Sequence, residues 1–175
     1  IEGLVILEPQ IFHDTRGYFY ESYNQQKMSE LGIDTIFVQD NQSYSQKGVI
    51  RGLHFQRPPF AQAKLVRVIK GKVLDVAVDI RKGSPTYGQH YSVLLTGDNH
   101  RQFFIPEGFA HGFVALEDNS IFTYKCSQFY HKEAEMSIRY NDPILNIDWG
   151  LDETPIMTEK DLCGVLFDQF NTPFE

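Results

Sequence analysis

The sequence predicts an all-β protein, built as a sandwich, a barrel or a double-sheet roll. Three observations lead there. Extended, β-rich segments dominate and are cut short by glycine, proline and asparagine turn formers. No strand–helix–strand rhythm runs along the chain, which argues against a parallel α/β sheet. Several strands carry apolar residues on both faces, as expected of a sheet covered on both sides or closed around a pocket.

Taken in order, the extended segments are Leu4–Leu7, Tyr18–Ser22, Ile36–Gln42, Val49–Gln56, Lys64–Ile69, Lys72–Ile80, His90–Leu95, Gln102–Ile105, His111–Ala115 and Ser120–Phe129. Turn chemistry separates them at Lys70-Gly71, Lys82-Gly83-Ser84-Pro85, Thr96-Gly97-Asp98-Asn99 and Glu117-Asp118-Asn119. Two short helices are expected. Gln25–Leu31 has Asn24 as its cap and Gly32 as its stop, and a turn or two follows Thr158 over Glu159–Cys163. There is no internal repeat and no low-complexity linker.

The alternation within strands adds detail. In Lys72–Ile80, Leu74, Val76, Val78 and Ile80 share one face, while Val73, Asp75, Ala77 and Asp79 share the other. Asp75 and Asp79 are either the wet side of a sheet or part of a pocket. In Lys64–Ile69, Lys64, Val66 and Val68 oppose Leu65, Arg67 and Ile69, so each apolar face carries one cation. A buried charge must be paired or must line a cavity, because burying it alone is costly. Ile121–Cys126 repeats the pattern, with Phe122 and Tyr124 opposite Ile121, Thr123 and Lys125.

Composition narrows the function classes. The 175 residues suit one domain that buries roughly two-thirds of its unfolded surface. A net charge of -7 argues against a general nucleic-acid surface, although a local basic pocket could still take an anion. Cys126 and Cys163 are too few for a disulfide framework and fit a reducing cytoplasm. No apolar run approaches the ~20 residues of a membrane span, and no signal-peptide pattern opens the chain.

Read one by one, His54 in GVIRGLHFQ and His111 in PEGFAHGF are ordinary structural histidines. Lys64 beside an apolar run is less ordinary. Tyr124 and Tyr130 fill a barrel on the plain reading, and Asp161 is a solvated helix residue. A metal site would need more donors: no His-x-His pair occurs, and the acid next after His54 is Asp75. Phosphate-loop, hydrolase and cysteine-nucleophile signatures are missing as well. The remaining set of histidine, lysine, tyrosine, aspartate and arginine suits proton abstraction beside a carbonyl. Histidine acts as base, a cation stabilises the enolate oxygen, and tyrosine returns a proton. Spacing alone does not show that these side chains meet.

An ordered series of motifs goes further: HDTRGYFYESYN, QDNQSYSQKGVIRGLHFQ, AQAKLVRVIKGKVLDVAVDIRKGSPTYG, FFIPEGFAHGF, YKCSQFYHKEAE, NDPILNIDWG and EKD. Over nearly its whole length the chain resembles the dTDP-4-dehydrorhamnose 3,5-epimerase family. The resemblance implies a cupin-type double-stranded β-helix, or jelly roll, with short peripheral helices. It implies one domain over 1–175, with a core near 36–130, a C-terminal extension near 141–175 and dimer-forming N-terminal strands. The implied reaction inverts C3 and C5 of dTDP-4-dehydro-6-deoxy-D-glucose, giving dTDP-4-dehydro-β-L-rhamnose, with no metal and no organic cofactor.

Residue by residue, the resemblance makes His54 the general base and Asp161 its orienting carboxylate. Lys64 and His111 surround the ketone, Asp75 lies near His111, and Tyr124 is the acid that protonates C5. Arg51 contacts diphosphate and sugar, and Tyr130 stacks near thymine. Arg16, Phe19 and Glu21 bind nucleotide and complete the neighbour's site in a homodimer. The implied partners are the dTDP-linked 4-keto-6-deoxy sugar and a second copy of the chain, with no nucleic acid and no membrane. The alternatives are a C3-only or C5-only epimerase of a related sugar, a non-catalytic nucleotide-sugar sensor, and a metal-dependent cupin enzyme.

Overall fold

The structure is a computed structural model describing residues 1–175. Its strands are β1 (Val5–Leu7), β2 (Phe12–Asp14), β3 (Gly17–Phe19), β4 (Gln39–Ser45), β5 (Ile50–Gln56), β6 (Lys64–Lys70), β7 (Lys72–Asp79), β8 (His90–Thr96), β9 (Gln102–Ile105), β10 (Phe109–Ala115), β11 (Ser120–Cys126) and β12 (Glu135–Ser137). Helices α1 (Gln25–Glu30) and α2 (Glu159–Leu162) are short and peripheral. Two five-stranded antiparallel sheets, ordered β1-β9-β6-β11-β4 and β12-β5-β10-β7-β8, face one another as a cupin-type jelly roll. β2 and β3 form a separate hairpin.

Three apolar clusters explain the two-sided strands. Between the sheets lie Val66, Val68, Val73, Ala77, Leu95, Phe103, Ile105, Phe113 and Phe122. The outer face of the second sheet packs Ile50, Leu53, Phe55, Val76, Val78 and Ile80 under a C-terminal segment that contributes Leu145, Trp149, Phe167 and Phe170. The outer face of the first sheet meets α1 through Leu65, Phe104 and Met28. The expected alternation in β7 is therefore real, with both faces dry.

The same burial decides between the two readings of the β7 carboxylates: Asp75 and Asp79 are both fully inaccessible. Asp79 accepts bonds from the Arg81 guanidinium at 2.6 and 2.9 Å, from the Arg81 amide at 3.0 Å and from the Ser84 and Thr86 hydroxyls at 2.6 Å each. Burial alone would raise its pKa, but these donors outweigh burial and hold the carboxyl well below the usual range. A depressed carboxyl stabilises the fold above its unfolded pKa of ~4, and that contribution is lost as pH falls toward the folded value. Asp79→Asn is expected to cost about 3–5 kcal/mol, because it leaves buried donors and a cation without their anion. Denaturant titrations at pH 7 and at a series of pH values descending well below 4, toward the folded value, check this. The variant should lose the larger part of its deficit in acid, and an equal deficit across the series would contradict the assignment.

Most segment boundaries agree with the sequence reading to within a few residues. The helix caps do too: the Asn24 side chain accepts from the Lys27 amide and Thr158 from the Asp161 amide. Three segments differ. The fourth strand runs Gln39–Ser45 instead of Ile36–Gln42, because the polar run QDNQSYS pairs along its whole length with β11. That cross-strand pairing outweighs the β-branched appeal of Ile36 and Val38. The short strands β2 and β12 each depend on a partner, β3 and β5 respectively, and carry no alternation of their own.

Candidate active site

The site begins with an irregularity in β5. Arg51 and His54 are three apart, so a regular strand would point them to opposite faces. β5 instead bulges against β10: His54 pairs with His111 and Arg51 with Phe113, three steps on one strand against two on the other. The extra residue turns Arg51 and His54 to the same, inner face, while Ile50, Leu53 and Phe55 stay in the outer cluster. Gly52 makes this possible. Its φ is +132°, and a Cβ there would lie 2.5 Å from the Gly112 Cα and 2.8 Å from the His111 carbonyl.

The inner face opens into a cavity of about 350 Å³ between the sheets, lined by Arg51, His54, Lys64, His111, Tyr124 and Asp161 among others. An adjoining lobe of about 360 Å³ shares His54, Lys64 and Tyr124 and extends to Tyr130 and Glu135. Sequence-distant residues thus converge: β5 supplies Arg51 and His54, β6, β10 and β11 supply Lys64, His111 and Tyr124, and α2 brings Asp161 from the C-terminal segment.

His54 Nε2 lies 2.7 Å from Asp161 Oδ1. Asp161 is only 5% exposed, so the solvated-helix reading gives way to a buried partner. Burial would raise the Asp161 pKa, but the hydrogen bond from His54, the charge of His54 and the Gly52 amide outweigh it and leave the carboxyl depressed. An ionised Asp161 can only accept, so Nε2 carries hydrogen and, in the neutral imidazole, Nδ1 holds the lone pair. That is the tautomer a base needs.

Lys64 is 9% exposed and takes part in no ion pair within 4 Å. Burial lowers its pKa, with partial opposition from Cys126, Asp75 and Glu135. Its ammonium stands 5.9 Å from the centre of the Tyr124 ring. The Tyr124 phenol is pushed up by burial, so it holds its proton as a donor near neutrality. His111 Nε2 sits 2.9 and 3.0 Å from the Asp75 oxygens. Burial nonetheless pushes the His111 pKa down, with Asp75 only partly opposing it. No three His, Cys, Asp or Glu side chains gather as a ligand set.

Arg51 hangs over the cavity rim. Its guanidinium reaches the Ser45 hydroxyl and the Tyr44 carbonyl at 3.2 Å each, and no carboxylate neutralises it. The Tyr130 hydroxyl donates to Glu135 at 2.7 Å, leaving an exposed ring at the mouth. The N-terminal candidates stand apart. Arg16 pairs with Asp14, Phe19 is 70% exposed, and Glu21 pairs with Lys27 at 2.9 Å. None of the three lines this chain's cavity.

The sequence reading did not single out Glu135, which lies in the HKEAE motif and lines both lobes. Nor did it name Asn41, on the polar strand β4. A carboxylate three residues beyond a lysine reads as a solvated turn. Only the pairing of β12 with β5 carries Glu135 to the cavity.

A family model described as dTDP-4-dehydrorhamnose 3,5-epimerase matches residues 1–169. A dTDP-4-dehydrorhamnose 3,5-epimerase of Salmonella typhimurium is 52% identical over 170 residues, covering 97% of this chain and 93% of the relative. One of Methanothermobacter thermautotrophicus is 52% identical over 163 residues, covering 92% and 88%. The crystal structure of a dTDP-6-deoxy-D-glucose-3,5-epimerase from Legionella pneumophila, in complex with dTDP-4-keto-L-rhamnose, superposes with a TM-score of 0.94 at 53% identity, covering 98% of this chain and 91% of that one. A cavity pairing an ionised carboxylate with a histidine inside a jelly roll, and similarity of this extent along the chain, lead to one conclusion: the chain belongs to the dTDP-4-dehydrorhamnose 3,5-epimerase family.

Proposed function

We propose that the chain epimerises dTDP-4-dehydro-6-deoxy-D-glucose at C3 and C5 to dTDP-4-dehydro-β-L-rhamnose, without a metal or organic cofactor. The observation that carries this reading is the convergence of the His54–Asp161 pair, the unpaired Lys64 and the neutral Tyr124 on one cavity. His54 takes the proton from the carbon beside the C4 ketone, and the electron pair moves onto the ketone oxygen. Lys64 and His111 face that oxygen as charge develops. A proton then returns to the opposite face, supplied at C5 by Tyr124. The uncompensated Arg51 serves the diphosphate, and the exposed Tyr130 ring serves the base.

The unit is the whole of 1–175, because Asp161 of the C-terminal segment completes the site that His54 opens. We place it in a homodimer in which the β2–β3 hairpin delivers Arg16, Phe19 and Glu21 to the neighbour's nucleotide. The support is exposure of Phe12, Tyr18 and Phe19 on a hairpin that joins neither main sheet. A reducing, cytoplasmic setting agrees with the two unpaired thiols, Cys126 and Cys163.

The test is solvent-deuterium incorporation into the dTDP-4-keto sugar, followed by carbon position. The wild type should label C3 and C5 after treatment with a chelator. In Tyr124→Phe, C5 labelling with inversion should fall about 10²–10⁴-fold while the initial C3 exchange is much less affected. Equal slowing at both carbons would remove Tyr124 from its role, and labelling of C3 alone by the wild type would make the chain a C3 epimerase.

A further inference from the structure

Glu135 has no part in the chemistry above, yet it is a mostly buried carboxylate on the wall of a cavity meant for an anionic ligand. Its side chain is 16% exposed and bonds two groups at once, the Tyr130 hydroxyl at 2.7 Å and the Lys160 ammonium. Lys160 precedes Asp161 on α2. Glu135 lies on β12, whose Ser137 pairs directly with His54 on β5. Three contacts therefore close a triangle: β5 to β12 through the ladder, β12 to α2 through Glu135–Lys160, and α2 back to β5 through Asp161–His54.

α2 needs such a tie. It has four residues, well below the length at which a helix holds itself in water. An ion pair on an open surface contributes little, because both ends are mobile and screened. Here one end is largely dry and held by a second hydrogen bond, so the lysine is drawn to a fixed point. The carboxylate in turn is expensive to leave unpaired.

We propose that Glu135 and Lys160 are a positioning pair that holds Asp161 against His54, and so keeps the base in its working orientation. The inference rests on the reading of His54 as the base and adds two residues that touch neither reacting carbon. A small displacement of a catalytic group costs up to about 10²-fold in rate, which sets the expected effect.

The experiment is a double-mutant cycle with dTDP-4-dehydro-6-deoxy-D-glucose. Glu135→Gln and Lys160→Met should each lower kcat about 10- to 100-fold at nearly unchanged KM. The double variant should be no slower than the worse single, since both remove one contact. Lys160→Arg, which keeps the charge, should restore the rate. In both single variants the low-field proton resonance of the His54 imidazole N–H, assigned by its absence in His54→Ala, should broaden through faster exchange with water. Three results would overturn the pair. One is loss in Glu135→Gln but not in Lys160→Met, which would mean Glu135 acts on substrate itself. The others are additive losses in the double variant and unchanged kcat in both singles. Failure of the base reading looks different: His54→Ala would then exchange at the wild-type rate, whatever the imidazole resonance does.

Discussion

In the His54→Ala variant, solvent deuterium should enter neither C3 nor C5 of the dTDP-4-keto sugar at a useful rate, with exchange at both carbons falling about 10²–10⁴-fold. The expectation follows from the proposal that one base, His54, serves both carbons. His54 is the imidazole whose Nε2 is held at 2.7 Å by a carboxylate kept ionised, which frees Nδ1 to accept a proton. His111, the other imidazole on the cavity wall, is buried and has its pKa pushed down, and it sits on the Asp75 side. One base starting both inversions predicts parallel loss at the two carbons, unlike the unequal loss expected for Tyr124→Phe. Position-resolved mass or NMR analysis of the labelled sugar distinguishes these cases. Survival of C3 exchange at the original rate would sink the assignment.

Lys64→Met should also have a large effect, and it should act in opposite directions on activity and stability. The ammonium is 9% exposed with no carboxylate within ion-pair distance, so the folded chain carries an uncompensated charge where the enolate oxygen would form. Removing an oxyanion-stabilising cation of this kind costs about 10²–10³-fold in kcat. Methionine keeps the length of the side chain and discards the charge, so the melting temperature should rise. The pH dependence follows from the sign of the shift. A lysine pKa lowered on folding means that the unfolded chain binds more protons between the folded value and ~10.4, so wild-type stability rises with pH across that window. Lys64→Met should lack that rise. A variant both slower and less stable would indicate that Lys64 is a structural residue with an unseen partner.

Much of the fold was legible before the structure. The turn residues cut the chain at the right places, and the paired faces of KVLDVAVDI and KLVRVI announced sheets covered on both sides. The motif series also contained the residues that the fold brings to one cavity, Arg51, His54, Lys64, His111, Tyr124 and Asp161. The rest depended on contacts between distant segments. Whether Asp75 and Asp79 faced water could not be told from alternation, since a solvated carboxylate and one bonded by His111 or Arg81 share the same sequence spacing. β4 was misplaced because QDNQSYS has no intrinsic strand signal and is organised by β11. Glu135 was passed over because its partner, Lys160, lies on an element that packs beside it only in the folded chain.

What the sequence determined by itself was the class of architecture, the absence of a recognisable metal-ligand pattern, and the roster of groups able to move a proton. Those follow from local rules: side-chain periodicity, turn chemistry and donor spacing. What tertiary structure alone decided was which of these groups meet. The bulge at Gly52 turns Arg51 and His54 to one face, and Asp161 arrives from the far end of the chain to orient the imidazole. The physical reason is that strand alternation is a property of one segment, whereas a bulge needs a partner strand and a buried ion pair needs two segments excluded together from water.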